Sequence, residues 1–175
     1  MLVTNDRMLA ERVRYLSSHA KDPNRTFWHP EIGYMYRMSN PQAALGLAQL
    51  ERIEEFVAKK RQIFSWYQER LAGIAGLALN IEPPNTRNNY WMTSIVLEGK
   101  FPLGRDELAA KLKERQVDTR PFFYAISSFP MYRKAPNPVA YHLGVNGLNL
   151  PSGVMLTEEQ VDYVARQVRE LLGVV

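Results

Sequence analysis

The chain contains no cysteine. That excludes a disulfide framework and a thiolate metal site, and it fits a cytoplasmic protein. Histidine is nearly as scarce: His19, His29 and His142 stand at no metal-ligand spacing, so a zinc site is not expected. No apolar run is long enough to cross a bilayer, and Met1–Asp6 lacks the basic start and apolar middle of a secretory leader. No membrane partner is therefore expected. Internal repeats and low-complexity segments are also missing.

What is present is ordinary for a globular protein: 175 residues, 46% hydrophobic and 23% charged. That length holds one domain, or one and a fraction. A net charge of +4 raises the question of nucleic acid. The basic residues alternate with acids in Glu54–Arg61 and Arg105–Arg115, as on solvated helix faces, and no nucleic-acid-binding motif occurs. The positive bias serves an anionic small molecule equally well.

Along the chain, Met1–Thr4 reads as a short strand, which would need neighbours to pair with. Thr4-Asn5-Asp6 opens a helix whose stripe is Leu9, Val13 and Leu16. Lys21–Ser39 has no period and is dense in aromatics and proline, the profile of a functional loop. The helical pattern then runs from Pro41 to Ala72, with a break expected near Gln49–Ile53 and an end at Gly73 and Gly76. Beyond it the sequence reads α+β. Tyr90–Glu98 is a central strand, Arg105–Arg115 a helix, and Val117–Arg120 and Gly147–Leu150 short strands. Thr157-Glu-Glu-Gln160 is a capping box before a helix with the stripe Val161, Val164, Val168, Leu171 and Leu172. A small sheet with two helices on one face is expected, and the domain boundary falls at Ala72/Gly73.

The stretch Gly33–Leu50, GYMYRMSNPQAALGLAQL, organises the rest. Asn40 followed by Pro41 starts a helix. Ala43–Ala48 is small and apolar on nearly every side, which calls for cover on several faces. Two readings are open: a site-like loop ahead of an interface helix, or an aromatic loop packed on a core helix. In the second, Arg37 is stacked between Tyr34 and Tyr36.

The string GYMYRMSNPQAALGLAQLERIEE resembles the signature of the pyridoxal-phosphate sugar aminotransferases of the DegT/DnrJ/EryC1/StrS family: Gly–aromatic–Asn–aromatic–Arg–Met, then Gln-Ala-Ala, then Gln-Leu. The likeness continues in VDTRPFFYAISSFPMY and GLNLPSGVMLTEEQVDYV, and is strongest to the nucleotide-sugar 4-aminotransferases of the perosamine type. It implies a partial α/β fold of the aspartate aminotransferase type. Residues 1–72 would be the end of the large cofactor-binding domain, with the interface loop and long helix. Residues 73–175 would be the small α+β C-terminal domain. The half bearing the cofactor lysine would lie upstream of Met1, leaving this chain without a catalytic residue.

The resemblance implies pyridoxal 5'-phosphate as cofactor in the complete enzyme. It sets Arg37, with Tyr36 beside it, at the cofactor phosphate of the neighbouring subunit of a homodimer joined through Gly33–Leu50. A guanidinium can grip a phosphate with two parallel N–H groups. Met35 departs from the family's asparagine, and a thioether donates no hydrogen bond. Arg120, Tyr124, Ser127 and Ser128 are implied to meet the nucleotide-sugar substrate; Ser127 stands where many relatives carry histidine. Packing is the competing role there, with two of Phe122, Phe123 and Phe129 expected in the core. His29 is a further substrate-side candidate for proton transfer, against a plain packing role. None of the seven lysines has an evident setting that would lower its pKa. The expected function is the C-terminal portion of an enzyme moving an amino group from glutamate to a 4-keto nucleotide sugar, as in cell-surface polysaccharide or O-antigen biosynthesis. By itself the chain is expected to be inactive. The alternative is a non-catalytic oligomerisation or ligand-binding module.

Overall fold

The computed structural model describes residues 2–174. The chain divides into two compact units, Met1–Arg52 and Ile53–Val175.

The first unit holds two helices and the loop between them. α1 spans Arg7–Leu16, and its N-cap Asp6 accepts from the Leu9 N–H through its carboxylate. Leu2–Thr4 is not a strand; the start of the expected one, Met1, lies outside the described residues. With no strand beside it the segment has no ladder to join, and β-propensity alone does not make one. α2 spans Asn40–Leu50. Its N-cap is Ser39, one residue ahead of the expected Asn40, because Gln42 reaches back to accept from both the Ser39 N–H (2.9 Å) and its hydroxyl (3.1 Å). The expected break falls at Glu51–Arg52, where the chain leaves α2 and starts α3, Ile53–Leu71.

The second unit is built on a four-stranded antiparallel sheet in the order β1-β2-β4-β3. The strands are β1 (Leu77–Leu79), β2 (Thr93–Leu97), β3 (Arg120–Pro121) and β4 (Gly147–Leu150). Ile95, Leu97, Leu148 and Leu150 alternate onto one face. They join Ile63, Tyr67 and Leu71 of α3, Leu108 and Leu112 of α4 (Arg105–Glu114), and Val161, Val164 and Val168 of α6 (Glu158–Leu171) in a single core. Three helices thus share that core, not the expected two. The reason lies in α3: a glycine ends a helix, but the apolar stripe decides which unit the helix belongs to, and this stripe packs against α6. The compact unit accordingly begins at Ile53.

Three further details bear on the site. β3 is only two residues long, since Pro121 brings no N–H to the ladder, and the expected strand residue Val117 is buried in the turn after α4. α5 (Pro138–Asn146) carries no strong sequence period and leads straight into β4. Gly76 has φ +81°, and a Cβ there would meet the Gly99 Cα at 2.4 Å, so glycine alone fits where the α3–β1 turn crosses the end of β2.

Candidate functional site

In the first unit the loop segment Gly33–Tyr36 lies against the end of α1. The Tyr34 N–H donates to the Leu16 carbonyl (2.7 Å), the His19 N–H to the Tyr34 carbonyl (3.0 Å), and the Tyr36 N–H to the Ser17 carbonyl (3.1 Å). Ser18 and Met35 form an isolated antiparallel bridge. A Cβ on Gly33 would sit 2.2 Å from the Ala20 nitrogen, so this close approach requires glycine. Ala20 is the buried residue at the centre of the turn, with φ +48° following His19 at φ +62°. Arg12 forks onto Glu31 at 2.6 and 2.5 Å, which holds the Glu31 carboxyl below its ordinary range. His29 Nδ1 lies 2.8 Å from the His19 carbonyl, so this ring nitrogen serves the turn.

Arg37 projects from the end of that braced segment. Its side chain is exposed and, among the described residues, makes no hydrogen bond, ion pair or ring contact. Tyr34 and Tyr36 stack directly on one another, with centroids 5.2 Å apart and planes 9° apart. The reading in which Arg37 lies between the two rings is thereby corrected: parallel rings at that spacing leave no room for a guanidinium. The open fork fits a phosphate, and the exposed Met35 thioether beside it adds no donor.

In the second unit, Arg120 sits on the edge strand β3, with Nη1 donating to Asp118 (2.7 Å) and to the Thr119 carbonyl (3.1 Å). Tyr124 is exposed in the loop that follows. Ser127 and Ser128 lie in a 3₁₀ turn, Ile126–Ser128. Ser127 Oγ is 2.9 Å from the Tyr141 hydroxyl and accepts from Asn137 Nδ2, while Ser128 Oγ donates to the Ala125 carbonyl. Both hydroxyls therefore brace the loop on which Tyr124 stands. Phe123 and Phe129 are exposed, and only Phe122 is half-buried, packed beside Gly147. The expectation of two core phenylalanines is corrected, because the loop leaves the sheet edge immediately after β3. Arg37, Tyr36 and His29 thus belong to one unit, and Arg120, Tyr124, Ser127 and Ser128 to the other.

Sequence reasoning missed two features. Glu82 accepts both guanidinium nitrogens of Arg61 (2.8 and 2.9 Å) and the Asn88 N–H (2.8 Å), which pulls its pKa down to about 2. That pair pins the 80–91 loop to α3, where Tyr90 stacks on Phe64 at 3.8 Å. From sequence, Lys60 is one of several charges in the alternating stretch Glu54–Arg61 expected on a solvated helix face. Its ammonium instead donates to the carbonyls of Trp91 (2.9 Å) and Ser152, and burial lowers its pKa. The only hint in the sequence is the adjacent Lys59-Lys60-Arg61, of which a helix can expose only part. Among the described residues no cluster of histidine and acidic side chains could hold a metal ion, and no helix is long and apolar enough to cross a membrane.

The second unit combines helices with an antiparallel sheet, and the first carries a braced loop ending in an arginine without a partner among the described residues. Residues 1–169 match the DegT/DnrJ/EryC1/StrS aminotransferase family, and the chain belongs to it. It is 37% identical over 172 residues to the GDP-perosamine synthase of Escherichia coli O157:H7, covering 97% of this chain and 46% of that protein. It is 33% identical over 167 residues to EpsN of Bacillus subtilis (strain 168), named as a pyridoxal phosphate-dependent aminotransferase; 91% of this chain and 42% of that protein are covered. The crystal structure of DesV from S. venezuelae superposes with a TM-score of 0.83 at 27% identity, over 99% of this chain and 46% of DesV. The chain spans about half the length of the curated relatives it matches. Family membership implies pyridoxal phosphate as the cofactor of the complete proteins.

Proposed function

We propose that the chain is the C-terminal portion of a pyridoxal phosphate-dependent aminotransferase that moves an amino group from glutamate to a 4-keto nucleotide sugar. The observation that carries this reading is Arg37: a charged fork with no protein partner among the described residues, held by a glycine-dependent brace inside the family's signature. An open guanidinium fork on a braced segment can grip an anion with two parallel N–H groups. The cofactor, when bound, supplies the electron sink for moving nitrogen. In this reading Arg37, with Tyr36 beside it, grips the cofactor phosphate of a neighbouring subunit, and Met35 contributes shape alone. Arg120 and Tyr124 bind and orient the nucleotide sugar, the Ser127–Ser128 turn holds Tyr124 in place, and His29 stands on the substrate side.

The homodimer would form through Gly33–Leu50. Leu45, Leu47 and Leu50 of α2 are all more than half exposed, leaving an apolar helix that a second copy would cover. The site of action would be the cytoplasm. In this reading the lysine that holds the cofactor would belong to the part of the relatives this chain does not span, and the chain alone would turn nothing over. The same exposed helix also supports a second reading, an oligomerisation or ligand-binding module without catalysis.

The test is a chimera: the first half of the E. coli O157:H7 GDP-perosamine synthase followed by this chain, supplied with pyridoxal phosphate, glutamate and a 4-keto GDP sugar. The expected result is bound cofactor by absorbance and amino transfer, with Arg37→Ala weakening cofactor binding at least tenfold and Met35→Leu having little effect. A folded, dimeric chimera without transfer would favour the non-catalytic module. Equal effects of the two substitutions would remove Arg37 from the site.

A further inference from the structure

A second cationic site lies wholly within the second unit, where the start of β2 meets the end of β4. Lys60, Trp91, Asp118, Arg120, Asn149 and Ser152 help line a cavity of about 300 Å³ there. An ammonium has three donors. Lys60 spends one on the Trp91 carbonyl and one on the Ser152 carbonyl, and Ser152 Oγ also donates to the Trp91 carbonyl (3.2 Å). That triangle fixes the ammonium and leaves one N–H unspent among the described residues. Arg120 uses Nη1 on Asp118 and Thr119, and among the described residues its Nε and Nη2 make no bond. Asn149 lies opposite Ser94 on one side and Arg120 on the other, so the three form a row across the sheet. Its Oδ1 accepts from the Ser94 hydroxyl (2.7 Å), which orients the amide and leaves Nδ2 without a partner among the described residues.

Three elements, α3, β3 and β4, therefore bring unspent N–H donors to one cavity. Its one carboxylate, Asp118, is already paired with Arg120. Such a donor-rich, net positive pocket suits an anion with several oxygens better than an uncharged polyol, which also needs acceptors. Trp91 is 64% exposed at the same cavity and offers a flat face for a ring attached to that anion. The half-buried position of Lys60 deprives its charge of water, so a bound anion would restore what burial removes.

The geometry points to a diphosphate subsite formed by Lys60, Arg120 and Asn149, with Trp91 beside it for a ring of the same ligand. It rests on the reading that Arg120 meets a nucleotide sugar, and it names the part of that ligand the unit would hold.

The experiment is an NMR titration of the isotopically labelled chain with inorganic pyrophosphate, following the Asn149 amide, the Arg120 Nε–H and the Trp91 indole N–H. Saturable shifts of the Asn149 and Arg120 signals are expected, with affinity falling at least tenfold in R120Q and in K60M and retained in K60R. Arg120 is an exposed edge side chain, so R120Q keeps the test meaningful even if K60M loosens the contact between Trp91 and Ser152. Unchanged affinity in R120Q, shifts confined to residues around Arg37, or equal shifts with methyl glucoside would each overturn the assignment. Failure here is read on the cofactor-free chain, whereas failure of the aminotransferase reading is read in the turnover of the chimera.

Discussion

The two units of this chain use their apolar residues in opposite ways. From Ile53 onward the leucines, valines and isoleucines of three helices and a sheet close on one another, and Ile63, Leu108, Leu148 and Val168 lose all contact with solvent. Before Ile53 the sequence is nearly as apolar, yet among the described residues Ala20 is the buried one. α2 buries nothing, and Phe27, Trp28, Tyr36 and Met38 stand open to solvent. A unit with a closed core is held by its own contacts. A unit with an open apolar surface is held by local devices: a cap, a glycine contact, a bidentate ion pair and a pair of stacked rings. The first unit thus leaves apolar residues open to solvent, as the interface proposed above would require.

The largest effect that would sharpen this contrast belongs to the second unit. Leu148→Ala removes a fully buried side chain from the central strand and should cost about 2–5 kcal/mol, read by denaturant unfolding. A loss below 1 kcal/mol would mean that the core is less closed than described. Next comes the Arg61–Glu82 pair. The Glu82 pKa is depressed to about 2 in the folded chain, against an ordinary carboxylate value near 4.5. Its contribution is therefore complete above about pH 4.5 and disappears as the pH falls towards 2. Arg61→Ala should flatten that part of the stability–pH curve, and a curve unchanged by the substitution would discount the pair.

Smaller effects follow. The Thr93 hydroxyl is buried without a hydrogen-bond partner among the described residues, so Thr93→Val should stabilise the unit by roughly 1 kcal/mol. Destabilisation of similar size would point to a partner for that hydroxyl. Smallest of all, Leu47→Ala in α2 should change the stability of the chain by no more than about 0.5 kcal/mol, because there is no core there to lose. A large loss would break the comparison between the units.

Much of this was legible in the sequence, and the exceptions share a cause. Strongly periodic or capped segments were readable: the break between α2 and α3, the capping box at Thr157, the stripe of α6, and Tyr90–Glu98 as the source of a central strand. β1 and α5 escaped because Leu77–Leu79 is too short to show alternation and Pro138–Asn146 is neither long nor clearly amphipathic. The position of Arg37 in a signature was readable. Its freedom from partners among the described residues was not, since that depends on how closely two tyrosine rings approach. Lys60, Glu82 and Asn149 were invisible for the same kind of reason. Each owes its role to residues 6 to 92 positions away in sequence, and beyond the run Lys59-Lys60-Arg61 nothing local marks it.

The claim that the first unit is an uncovered interface is tested most directly by hydrogen exchange on α2, in the chain alone and within the chimera carrying the first half of a family relative. The account predicts fast exchange of α2 amides in the chain alone, slow exchange in the assembled chimera, and slow exchange of β2, β4 and α6 amides in both. If α2 amides in a monomeric chain alone exchanged as slowly as those of β4, the surface would be complete as it stands, and the account would be contradicted.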